Sequence, residues 1–149
     1  MSEHFRAFSA IFPLILRTDG RKTEILLHRR QNTGWQDGKW DIAGSGHVDE
    51  GETARSAVSR ECKEELGIDV KIDDLSFALL SHRLSEKTYY DMYFVVNNYT
   101  GVPRIIETEK CAELKWFDIN ALPSDMIACR RTAVEAYKNK DCYNEIIGD

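Results

Sequence analysis

A chain of 149 residues, 42% hydrophobic and 30% charged, has room for one domain with a sizeable core and the composition of an ordinary globular protein. Its formal net charge of −5 supplies no basic footprint, which argues against a nucleic-acid polymer as partner. The longest apolar run is short and contains Pro13, and Met1 to Arg6 is polar with no cleavage site after it, so no membrane span or leader is expected and the cytoplasm is the expected location.

In chain order, "AFSAIFPLILR" (7–17) reads as a strand ending in the turn Thr18-Asp19-Gly20-Arg21, and "TEILLHRR" (23–30) returns as the second arm of a hairpin. "QNTGWQDGKW" (31–40) carries Asn, Asp and two glycines and reads as a loop. "WDIAG" is a short strand before the turn Gly44-Ser45-Gly46. Thr53 to Leu66 has good helix formers and no proline, with Gly67 placed to end it. "DLSFALLSHRL", "TYYDMYFVVNNY" (88–99) and "CAELKWFDI" (111–119) are strands rich in β-formers. "LPSDMIACRRTAVEAYKN" (122–139) has Pro123 near a start and helical spacing of Ile127, Val134 and Tyr137. No linker or repeat interrupts this order. The expectation is one α/β domain over 1–149, a mixed sheet between helices. Cys62, Cys111, Cys129 and Cys142 occur singly, so a zinc ribbon or CxxC redox motif is not expected.

The helix at 53–66 poses the functional question. At about 100° per residue, with Glu61 at zero, Glu65 falls near 40° and Glu64 near 300°, whereas Ala54, Val58 and Cys62 fall near 20°, 60° and 100°. A solvated acidic face would sit opposite the small apolar residues, and these glutamates share their arc. Carboxylates beside a buried face need a partner, because desolvating an unpaired charge is costly. Arg60 can neutralise one. Three or more call for a hard divalent cation with oxygen ligands. The glycine turn before the helix lets the backbone come close to such a ligand. A cation held this way suits a phosphate-ester substrate.

Residues 46–68 then resemble the Nudix box. The matching positions are Gly46, Glu52, Arg60, Glu61, Glu64, Glu65, Gly67 and Ile68, with Cys62 where a branched aliphatic is usual. The resemblance implies a MutT-like α/β/α sandwich with a catalytic loop-helix-loop. It implies Mg²⁺ or Mn²⁺ as cofactor and hydrolysis of a nucleoside diphosphate linked to another moiety. Carried over by position, Glu61, Glu64 and Glu65 would be metal ligands, together with the Ser45 carbonyl. Arg60 would orient the glutamates, and Glu52 would support the box. A further glutamate outside the box would be Glu107 or Glu109, with Glu109 preferred as ligand or base. The reaction would use metal to neutralise the diphosphate and a carboxylate to deprotonate the attacking water. His47 reads as a turn residue.

The substrate is less defined. Arg29 and Arg30 could contact phosphates, and Trp35, Trp40, Tyr89, Tyr90 and Tyr93 could supply a stacking surface. The stretch His82-Arg83-Leu84-Ser85-Glu86 has neither the proline of ADP-ribose hydrolases nor the tyrosine of dinucleoside polyphosphate hydrolases. The expectation is therefore a nucleoside triphosphate, oxidised or non-standard ones included, cleaved to monophosphate and pyrophosphate. The alternatives are an NDP-sugar hydrolase and a non-catalytic nucleotide-binding module. A homodimer is the assembly that analogy with such folds suggests.

Overall fold

The computed structural model describes residues 3–148. Ten strands and two helices follow in the order β1 (Phe8–Asp19), β2 (Lys22–Arg30), β3 (Trp40–Ile42), β4 (Gly46–His47), α1 (Ala54–Leu66), β5 (Asp69–Val70), β6 (Leu75–Leu84), β7 (Thr88–Val96), β8 (Tyr99–Thr100), β9 (Cys111–Asp118), α2 (Ala128–Lys138) and β10 (Tyr143–Ile147). The main sheet runs β10-β6-β7-β1-β2-β3, with β4 added to β1 and β9 to β2, and β5 pairs β8 separately. It is mixed: β1–β7 and β6–β10 are parallel, and the other pairs are antiparallel.

β1 is buried on both faces, which is why its sequence shows no polar alternation. Ile11 and Ile15 face α1 with Leu26, Phe94, Val58, Cys62 and Leu66. Phe12 and Leu14 face α2 with Ile25, Leu27, Leu79, Tyr93, Ala133 and Val134. The result is the α/β/α sandwich.

One departure from a regular sheet positions everything that follows. β1 and β2 form a hairpin only from Leu16↔Ile25 to Asp19↔Lys22. Beyond that point they diverge. The same edge of β1 next meets β4 at Ala10 and Ile11, while β2 turns to β3 at Leu27 to Arg29. The segment 40–47 fills the wedge between them. Pro13, which has no N–H to give, falls in the stretch of β1 between these two pairings.

Two element boundaries and one whole strand differ from the sequence expectation. α2 begins at Ala128, because the preceding residues are tied to β3: Trp40 N–H donates to the Asp125 carbonyl at 3.1 Å and Ile127 N–H to the Trp40 carbonyl at 2.9 Å. β7 ends at Val96, and Tyr99–Thr100 leaves to pair with β5. The strand β10 has no counterpart in the sequence reading. It is defined by its parallel pairing with β6, from Tyr143↔Leu80 to Ile147↔Leu84.

Candidate active site

α1 is capped at both ends as its sequence requires. The Thr53 hydroxyl accepts from Ser56 N–H at 3.2 Å, and Gly67 adopts the left-handed conformation (φ 68°) with its N–H on the Cys62 and Lys63 carbonyls. This fixes the rotation of the helix. Ala57, Val58, Cys62 and Leu66 are buried, Glu61 and Glu65 are half-buried, and Glu64 is exposed.

Arg60 is the hub of the turn–helix unit. Its Nε and Nη2 donate to the Glu52 carboxylate at 2.8 and 3.0 Å, Nη1 donates to Glu61 at 2.8 Å and Glu64 at 3.2 Å, and Nη2 also reaches the His47 carbonyl at 3.0 Å. The hydrogen bond to Glu52, foremost, holds the guanidinium firmly protonated, and the same bond pulls Glu52 below its usual value. One cation thus welds the box entrance to the helix and orients two of the three glutamates.

It does not reach the third. Burial, followed by repulsion from Glu61, Glu107 and Asp41, pushes Glu65 up to about 9, with Arg30 opposing. Glu61 is also raised, mainly by burial, against the pull of Arg60. Glu64, the exposed one, completes the group through its bond to Arg60.

The glycines have separate jobs. Gly44 is left-handed (φ 78°) and lies under α1, where a Cβ would stand 3.1 Å from Leu66 and 3.2 Å from both Cys62 and Pro13. Gly46 brings the backbone against a carboxylate: a Cβ there would lie 2.3 Å from Glu61 Oε1. Ser45, between them, is not among the residues with positive φ, so its side chain is compatible with the turn.

The segment after β8 supplies a further carboxylate. Arg104 N–H donates to the Leu66 carbonyl at 3.1 Å and Ile106 N–H to the Glu65 carbonyl at 3.2 Å. These bonds satisfy the last carbonyls of α1 and carry Glu107 to where its charge acts on Glu61 and Glu65. Glu109 is placed differently from the sequence expectation. Its backbone carbonyl accepts from Asn32 Nδ2 at 2.9 Å, its side chain is exposed, and Glu107 takes the position nearer the box.

On the other side of the Gly44–Gly46 turn lies a cleft of about 500 Å³, set in the wedge between β1 and β2. Ser45, Gly46 and His47 form its border with the carboxylate helix. Arg30 lines it, whereas Arg29 points elsewhere, against Glu113 (3.4 Å) and the Trp40 ring (4.8 Å). The alternation of side chains along β2 separates the two arginines.

Beneath this cleft runs a buried ionic network absent from the sequence reading. Arg130 of α2 donates to Asp41 Oδ1 at 3.0 Å and to Asp91 Oδ2 at 3.2 Å, Arg83 donates to Asp91 Oδ2 at 2.8 Å, and Arg30 reaches Asp41 Oδ2 at 3.1 Å. A signal for it existed. Arg130 lies three and four residues from Ile127, Ala133 and Val134, so it occupies the apolar arc of α2 just as the glutamates occupy that of α1.

The Nudix domain family pattern matches residues 7–137. The chain belongs to the Nudix family. It is similar to the Listeria innocua Nudix hydrolase lin0387, 29% identical over 97 residues that make up 64% of this chain and 56% of that protein. A Bacillus subtilis protein provisionally named an 8-oxo-dGTP diphosphatase is 28% identical over 116 residues, covering 78% of this chain and 72% of its own length. The crystal structure of a MutT Nudix hydrolase from Burkholderia pseudomallei superposes with a TM-score of 0.76 at 26% identity, over 88% of this chain and 98% of that one. The chain spans about half the length of the Listeria relative (56%).

The Nudix box residues fit a divalent metal by the chemistry of their donors. Glu61, Glu64, Glu65 and Glu107 carry hard oxygen donors, and Glu65 is a desolvated carboxyl pushed up by burial and its acidic neighbours, with no hydrogen bond to Arg60 among the described residues. Among the described residues no three such groups already stand gathered at coordinating distance, and Arg60 holds Glu61 and Glu64 by Nη1. The site therefore offers oxygen donors of the kind a divalent cation takes, and Arg60 orders two of them, Glu61 and Glu64.

Proposed function

We propose that this Nudix chain is a metal-dependent pyrophosphohydrolase of nucleoside diphosphates linked to another moiety, and that its preferred substrate is a nucleoside triphosphate, cleaved to monophosphate and pyrophosphate. The observation that carries the reading is the placement of Glu61 and Glu65. Both are partly desolvated and crowded by Glu107, and Glu61 lies against the Gly46 backbone, whose other side borders the cleft. The similarity to the Bacillus subtilis protein supports the choice of triphosphate.

Glu61, Glu64, Glu65 and Glu107, with the Ser45 carbonyl, are the groups that would hold Mg²⁺ or Mn²⁺. The ion supplies charge neutralisation of the diphosphate and Lewis acidity. The protein's own part is positional. Arg60 fixes the helix glutamates through charge-assisted bonds. The Gly44–Gly46 turn leaves room for the phosphates beside them. A carboxylate of the group accepts the proton of the water that attacks phosphorus.

The test is a substrate panel with Mg²⁺ or Mn²⁺ and product identification. Triphosphate turnover should yield monophosphate and pyrophosphate, stop in EDTA, and place one ¹⁸O from labelled water at the attacked phosphorus. Orthophosphate as the labelled product, or full activity in excess chelator, would overturn the reading. Cleavage of a sugar nucleotide alone, to monophosphate and sugar phosphate, would keep the chemistry and replace the substrate.

A second test follows from Gly46. The atoms that a Cβ would meet belong to the end of a flexible side chain, so Gly46→Ala should fold and melt close to wild type. It must move the Glu61 carboxylate, and kcat should fall roughly 10- to 100-fold, the scale expected when a reacting group is misplaced by about an ångström. Unchanged kcat would remove Glu61 from the reaction.

A further inference from the structure

The loop 31–39 is built around one side chain. Asn32, Gly34, Gln36 and Gly38 all take positive φ, at 55°, 82°, 51° and 85°. The Asp37 carboxylate gathers the Thr33 and Gly34 amides at 3.1 and 2.9 Å and the Thr33 hydroxyl at 2.5 Å. Arg30 Nε donates to the Trp35 carbonyl at 2.9 Å. This architecture holds the Trp35 indole, half-buried, over three guanidiniums: Arg30 at 5.1 Å, Arg130 at 5.7 Å and Arg83 at 5.8 Å from its centroid. A tryptophan that needed only burial would pack among aliphatic side chains. This one borders the cleft, as does Tyr89, whose ring stands 4.2 Å from the Arg83 guanidinium.

The polar inventory of the cleft is one-sided. Its buried acceptor, Asp41, is used at both oxygens: Oδ1 by Arg130 and the Ile42 amide, Oδ2 by Arg30. Asp91 Oδ1 is buried without a partner, but Asp91 does not line the cleft. Glu86 lines it at the rim, exposed to water. Arg30 keeps donors in hand, because among the described residues its bonds use only Nε and Nη1. A ligand entering the cleft therefore meets flat π-faces and arginine N–H donors, while the buried Asp41 carboxylate beside them is already taken.

We propose that Trp35 and Arg30 determine base specificity: the base stacks on Trp35 and takes hydrogen bonds from the terminal nitrogens of Arg30 on a carbonyl edge, so keto bases (hypoxanthine, guanine, uracil) are preferred to amino bases (adenine, cytosine). This rests on the nucleoside triphosphate reading above. Stacking on a ring or a guanidinium plane tolerates any base. The edge discriminates, because an exocyclic amine set against N–H donors leaves both unsatisfied away from water.

The experiment uses matched pairs that differ at that edge, the α,β-methylene analogues of ITP against ATP and of UTP against CTP, with Mg²⁺. Binding is read by tryptophan fluorescence, and hydrolysis of the natural triphosphates is measured in parallel. The keto member of each pair should bind about tenfold tighter or more, the scale of one good base-edge contact. Trp35→Phe should keep the preference and lose most of the fluorescence change. Trp35→Ala should raise KM about tenfold, with a much smaller change in kcat. Arg30→Lys, which keeps the charge toward Asp41 but not the fork, should level the pairs while retaining the wild-type fold by circular dichroism. Equal binding within both pairs, or a preference that survives Arg30→Lys, overturns the assignment. If all four triphosphates are hydrolysed alike, the specificity proposal falls and the hydrolase stands. If none is bound or hydrolysed, the specificity proposal falls together with the choice of a triphosphate.

Discussion

Glu65→Gln should lower kcat by at least about a hundredfold and leave the fold intact. Loss of a metal-supporting group commonly costs on that order in activity or metal affinity. The fold should survive because Gln keeps the size of the side chain and needs no proton to stay neutral. Glu65 is pushed up to about 9 by its own burial and then by Glu61, Glu107 and Asp41. A carboxyl held so far up must take on a proton in the folded free protein near neutral pH, which costs stability, so Glu65→Gln should hold or raise the melting temperature. Mg²⁺ should raise the melting temperature of the wild type and do so less in Glu65→Gln, a readout independent of turnover. Glu64→Gln, exposed and bonded to Arg60 at 3.2 Å, should lose kcat comparably. Near-normal turnover in both variants would place the metal elsewhere.

Arg130→Met should be the most damaging substitution for stability, at about 3–5 kcal/mol near neutral pH, the usual result of removing one partner from a buried ionic group. Met retains much of the apolar volume that packs on Phe12, whose ring lies 3.8 Å from the Arg130 guanidinium. What is lost is the charge between Asp41 and Asp91. Burial alone would raise Asp41, and attraction to Arg130, His28 and Arg30 holds it below its usual value. In the wild type, then, Asp41 contributes stability that is present above the unfolded carboxylate range and is lost as pH falls through the lowered folded value. In Arg130→Met the burial of Asp41 loses its strongest opponent, and the folded state gains affinity for a proton. The deficit relative to wild type should therefore be smaller at pH 5 than at pH 8 in urea unfolding. A deficit that does not change with pH would remove Asp41 from the account.

The two helices show why some of this was legible in the sequence. Both carry charged residues in an apolar arc, and in α1 that pattern, followed into the Gly44–Gly46 turn, leads to the carboxylate group directly. The pattern in α2 has the same form, but its partners Asp41 and Asp91 come from β3 and β7, remote in sequence, so nothing near Arg130 in the chain pointed to them. Glu107 and Glu109 both precede β9 in a short polar stretch, and no physical ground for the preference for Glu109 lies in the sequence alone. The hydrogen bonds of Arg104 and Ile106 to the end of α1 decide which one is carried to the box. Trp35 was one aromatic among several until the positive-φ loop set it over the guanidiniums. β10 was unreadable for a related reason: five residues define a strand only when an edge such as that of β6 is there to receive them.

The sheet order also dictates when the protein can become whole as it is made. Its local pairings, β1 with β2 and β6 with β7, join neighbours in sequence. The central one, Phe8↔Tyr89 to Ile15↔Val96, does not. Until β7 exists, the hairpin of β1 and β2 has no middle of the sheet to rest on, and until β10 exists the outer edge of β6 stays open. Closing pairings of such separation costs chain entropy before any contact repays it, and it slows folding. β1, buried on both faces at its centre, thus waits on residues synthesised more than half a chain later.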